Sequence, residues 1–87
     1  MAFLFITTMY WVYVLKSVTT TKLYTGQTQD LERRIASHNM GLSQYTKNKG
    51  PWNLIYKKEY ATRGEAMKRE KYLKTGKGRE YIKNLSS

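Results

Sequence analysis

Residues 10–16, YWVYVLK, are aromatic or aliphatic up to the terminal lysine and predict a β-strand. Tyr10, Val12 and Val14 share one face, and Trp11, Tyr13 and Leu15 the other. Both faces are apolar, which places this strand at the centre of a sheet covered on both sides. Residues 17–21 form a polar connector of hairpin length. Residues 22–25 then form a second, antiparallel strand ending at Gly26.

The period changes after that glycine. Thr28 or Asp30 caps a helix running to Asn39, with Asp30 and Glu32 at its positive end and Asn39 and Gly41 as its stop. Residues 41–51 form a basic loop carrying Tyr45, Lys47 and Lys49. A third strand covers residues 52–60, with Trp52, Leu54, Tyr56 and Tyr60 on one face. A second helix begins at Thr62 and runs to Lys74. The segment 76–78 breaks it, and residues 79–85 form a short terminal helix. The order ββαβα describes an α+β fold, a small sheet with helices packed on it.

A chain of 87 residues supports one domain and would bury about 60% of the surface its unfolded form exposes. That domain is expected over residues 10–87, behind an apolar extension at 1–9. The extension is far shorter than the roughly 20 apolar residues needed to cross a bilayer, and no basic stretch precedes it as in a signal peptide. The native start could be Met1 or Met9. Absence of cysteine excludes disulfides and thiolate chemistry, and a single histidine, His38, excludes a multi-histidine metal site. A reducing, cytoplasmic setting is expected.

Charge adds the partner. Sixteen Lys and Arg against six Asp and Glu give a net charge of +10, which attracts polyanions and points to nucleic acid before a membrane or an acidic protein. Lys47 and Lys49 are candidate nucleic-acid contacts.

Two helix faces depart from ordinary burial. Leu31 and Ile35 mark the apolar stripe of the first helix, and Arg34 and His38 fall beside it, whereas Arg33 points to solvent. In the second helix, Glu70 lies between Ala66 and Leu73, where a carboxylate is costly unless paired or metal-bound. A buried ion pair with Arg34 or a lysine would account for it structurally. As a metal ligand it is the best candidate in the chain. Tyr13 and Tyr24 add hydroxyls expected in a cleft. Together with Arg34, His38 and Glu70 they make a set suited to phosphodiester chemistry.

These residues resemble the GIY-YIG nuclease domain. WVY at 11–13 stands where GIY would stand, and YTG at 24–26 stands for YIG. Arg34 follows ten residues after the second tyrosine, His38 lies in RRIASHN and Glu70 in EAMKRE. The resemblance spans residues 10–85. It implies a three-stranded antiparallel sheet flanked by helices and metal-dependent hydrolysis of DNA, directed by structure or damage as in excision repair. It implies one Mg²⁺ or Mn²⁺ on Glu70, Tyr24 or Tyr13 aiding deprotonation of water, His38 assisting, and Arg34 stabilising charge on the phosphate. Gln27 stands where some relatives have lysine, removing one cation and leaving more to Arg34, and Asn84 could match an asparagine that assists the metal region. With no second domain, target choice would need this domain, self-association or a protein partner. A basic binding module that no longer cleaves is the alternative.

Overall fold

The computed structural model describes residues 9–86, so the expected extension at 1–9 lies, apart from Met9, outside the described residues. Three strands, β1 (Tyr10–Ser17), β2 (Leu23–Thr28) and β3 (Trp52–Tyr60), form one antiparallel sheet in the order β2-β1-β3. Three helices complete the fold, α1 (Leu31–Asn39), α2 (Arg63–Leu73) and α3 (Gly76–Ser86).

The doubly apolar β1 is the central strand, and Val12, Tyr13, Val14 and Leu15 are completely buried. Its alternation feeds two cores. Val12 and Val14 pack with Ala66, Leu73 and Ile82 under α2 and α3. Tyr13 and Leu15 pack with Trp52, Tyr24, Leu31 and Ile35 under α1. Each buried aliphatic side chain contributes about 1.5–3 kcal/mol, so β1 is the spine of the fold.

Caps explain the helix boundaries. The Asp30 side chain accepts from the Arg33 N–H, and the Thr62 hydroxyl accepts from the Glu65 N–H while donating to the Glu65 carboxylate.

Three boundaries or faces differ from the sequence pattern. First, β2 does not end at Gly26 but continues to Thr28, with Gly26 paired opposite Tyr13. Second, β3 does not keep Trp52, Leu54, Tyr56 and Tyr60 on one face. The register slips between Val14, opposite Tyr56, and Leu15, opposite Leu54. The extra residue reverses the alternation, so Trp52 joins the α1 core and Tyr56 and Tyr60 the α2–α3 core. Third, Gly76 and Gly78 begin α3 and do not merely interrupt. The Thr75 hydroxyl accepts from the Gly78 N–H and donates to the Tyr72 carbonyl, turning the chain between the helices. A Cβ on Gly78 would overlap the Tyr72 carbonyl oxygen and Leu73 Cα, so glycine is what lets α3 approach the end of α2.

Candidate active site

The α1 face of the sheet carries a buried polar chain. Tyr13 projects from the middle of β1, and His38 from the last turn of α1. The Tyr13 hydroxyl is hydrogen-bonded to His38 Nε2 at 2.9 Å, and His38 Nδ1 to the Thr46 hydroxyl at 2.7 Å. Thr46 is held in turn, because the Trp52 indole N–H donates to its carbonyl at 3.2 Å. Asn39 ties the same strand start to α1, accepting from the Trp52 N–H at 2.7 Å. Tyr13, His38 and Thr46 are all buried.

Gly26 makes room for this arrangement. A Cβ there would lie 2.7 Å from the Tyr13 hydroxyl oxygen and 2.9 Å from its ring carbon. The phenol therefore lies across the glycine of the paired strand. Gly26→Ala is expected to displace the ring at a cost of about 1–3 kcal/mol, read as a lower midpoint in urea unfolding. An unchanged midpoint would contradict this packing.

Burial sets the protonation states. It raises the Tyr13 phenol to about 12, against an opposing pull from the Arg34 guanidinium beside it. Burial, reinforced by the Arg34 charge, lowers His38 to about 4. Arg34 is raised, chiefly by its interaction with the Tyr13 hydroxyl. His38 is thus neutral and Arg34 cationic near neutrality. Between pH 6.5 and 4 the unfolded chain binds a proton on His38 that the folded chain refuses, so stability falls as pH drops through that window. Above pH 10 the unfolded chain releases the Tyr13 proton first, so stability falls again toward pH 12. Urea unfolding should show a plateau from about pH 6.5 to 10, and His38→Gln should flatten the acid limb. An acid limb of the same slope in the variant would contradict the assignment.

Tyr24 occupies the outer side of this cluster. Its ring centroid lies 4.7 Å from that of His38, 6.2 Å from Tyr13 and 5.6 Å from Tyr45. It is half-buried and lines an open cleft of about 350 Å³ with Leu23, Thr25, Tyr45, Lys74 and Arg79. The expectation of two cleft hydroxyls is corrected. Tyr24 lines the cleft, whereas Tyr13, at the centre of the doubly covered β1, is sealed inside.

Glu70 sits on α2, across the outer strand β2. Its carboxylate accepts from the Gln27 amide at 3.0 Å and pairs with Lys74 Nζ at 2.8 Å. The partner of Glu70 is therefore a lysine one helical turn away, not Arg34, which turns to the tyrosines. Lys74 also supplies a cation beside Glu70. The Gln27 carbonyl oxygen is buried without a hydrogen-bond partner. One carboxylate with an orphaned amide oxygen beside it offers the hard oxygen donors that Mg²⁺ or Mn²⁺ takes. Among the described residues no cluster of three His, Cys, Asp or Glu exists. These residues fit one such ion, whose remaining ligands would be water or phosphate oxygens.

The fold thus gathers Tyr13, Tyr24, Arg34 and His38 at one place and pairs Glu70 with Lys74, which lines the adjoining cleft. Lys49 is engaged with Tyr45, its ammonium 4.8 Å from the ring centroid, and Lys47 is exposed. Thr46, Lys74 and Arg79 escaped the sequence reading. The i,i+4 spacing to Glu70 was the available signal for Lys74; nothing in the sequence marks Thr46 as buried. Among the described residues no helix is long and apolar enough to cross a membrane.

The family model described as the GIY-YIG catalytic domain matches residues 9–83. A UPF0213 protein of Staphylococcus haemolyticus is 39% identical over 77 residues, 87% of this chain and 93% of that protein. A UPF0213 protein of Clostridium perfringens is 39% identical over 80 residues, 91% of this chain and 85% of its own. The solution NMR structure of a UPF0213 protein from Bacillus halodurans superposes with a TM-score of 0.56 at 31% identity, covering 88% of this chain and 84% of that one.

Proposed function

The chain belongs to the GIY-YIG catalytic-domain family, alongside the small UPF0213 proteins, and we propose that it is a metal-dependent endonuclease hydrolysing phosphodiester bonds in DNA. The observation that carries this reading is the convergence of Tyr24, Arg34 and a neutral His38, with a carboxylate across β2 whose neighbour offers an unpartnered oxygen. A domain that only bound nucleic acid would have no use for that set.

The residues divide the work. Glu70, with Gln27 beside it, would hold the ion, which when bound polarises the phosphate and acidifies water. Arg34, a permanent cation beside the Tyr13 hydroxyl, stabilises charge developing on the phosphate. Tyr24 at the cleft wall relays the proton of the attacking water inward through Tyr13. His38 Nε2 accepts it at the inner end, with Nδ1–H donating to Thr46. Thr46, which holds His38 Nδ1, is a positioning residue.

The Lys74–Glu70 pair favours one alternative, a binding module whose carboxylate is already neutralised. Incubation with linear, nicked, flapped and branched DNAs, with Mg²⁺, Mn²⁺ or EDTA, separates the two. Cleavage that requires the ion is expected; binding without cleavage under every condition would establish the alternative. Binding itself should weaken with salt, by about 0.9 in the log–log slope for each duplex phosphate contacted. Affinity that is flat between low and physiological salt would contradict a role for the +10 charge.

A further inference from the structure

We propose that the cleft formed by β2, Tyr45 and the α2–α3 junction is a nucleotide subsite, which seats one base on Tyr45 and the adjoining phosphate on Lys74 and Arg79. The inference rests on the nuclease reading and names what lies beside the cleaved bond.

Tyr45 is the first observation. It is 65% exposed, so it serves no core. Yet it is held in place, with its ring against Tyr24 at a 43° tilt and its carbonyl accepting from Lys49 Nζ at 3.2 Å. The same ammonium lies over its ring. An exposed aromatic fixed in position loses little freedom when a base stacks on it.

Charge is the second. The cleft wall is Leu23, Tyr24, Thr25, Tyr45, Lys74 and Arg79, which includes two cations and no carboxylate. The nearby acid, Glu70, is paired with Lys74. A ligand with a flat ring at one end and an anion at the other complements this wall, and a nucleoside phosphate has that form. At about 350 Å³ the cleft suits a small ligand, here a single unit of a strand.

The test is an NMR titration of ¹⁵N-labelled protein in EDTA, with thymidine 3′,5′-bisphosphate, inorganic phosphate, thymidine and a thymidine trinucleotide as probes. Without metal, binding is read independently of cleavage, so a protein that fails to cut can still fill the subsite. The bisphosphate should bind at least about tenfold tighter than phosphate or thymidine and shift the amides of residues 45 and 74–79. The trinucleotide should shift the same amides and bind no more weakly. Tyr45→Ala should weaken the bisphosphate about 5- to 150-fold, the worth of one stacked base, and Tyr45→Phe should retain it. Arg79→Gln should weaken bisphosphate but not thymidine. Equal affinity for bisphosphate and phosphate, or no effect of Tyr45→Ala, would overturn the subsite. Binding of the mononucleotide but not the trinucleotide would assign the cleft to free nucleotides and overturn its place on a strand.

Discussion

Glu70→Gln is expected to abolish metal-dependent cleavage, a loss of about 10³-fold or more, because bound ions supply several kcal/mol of transition-state stabilisation. The fold should survive. Glutamine keeps an oxygen to accept from Gln27 and gives up only the pair with Lys74, whose side chain is 53% exposed. Such pairs contribute about 0.2–1 kcal/mol, so Tm should move by no more than about 8 °C. Nucleic-acid affinity should be kept or raised, since Glu70 no longer offsets the charge of Lys74, which lines the cleft. If the carboxylate were purely structural, the pattern would invert. A variant that melts far earlier yet cuts normally when kept cold would contradict the assignment.

Tyr24→Phe and Tyr13→Phe should both lower cleavage, by about 10²–10⁴-fold when a proton-transfer group is lost, but they should differ in stability. Phenylalanine at 24 keeps the ring contacts with Tyr13, His38 and Tyr45, so Tm should hardly change. Phenylalanine at 13 strips His38 Nε2 of its buried partner. An orphaned buried polar atom costs about 1–3 kcal/mol, and Tm should fall accordingly. Parental cleavage rates in both variants would make the two tyrosines packing residues only. Equal Tm in both would contradict the buried Tyr13–His38 bond.

The parts of this protein legible in its sequence are those written in local pattern. The central place of β1 follows from two apolar faces, and the start of α1 from a cap at Thr28 or Asp30, of which the fold uses Asp30. Arg34 and His38 could be placed on one stripe by helical rotation alone. The bulge in β3 could not be seen, because WNLIY reads as plain alternation until Val14 and Leu15 fix its register. Gly26 looked like a terminator because glycine commonly ends strands; its actual constraint is a phenol lying across it from another strand. The Thr46–His38 bond joins a loop to a helix end, and no period or propensity encodes such a meeting. The fate of Glu70 was half legible. An acid between Ala66 and Leu73 demands a partner, and Lys74 at i+4 was visible, whereas Gln27 comes from a strand 43 residues away.

The central claim is that Glu70 is the seat of the ion on which hydrolysis depends. Mn²⁺ titration followed by electron paramagnetic resonance, on the full chain without nucleic acid, tests it most directly. The protein should take up one ion, and Glu70→Gln should lose that binding while its Tm stays close to the parent. Mn²⁺ uptake unchanged in the variant would contradict the account.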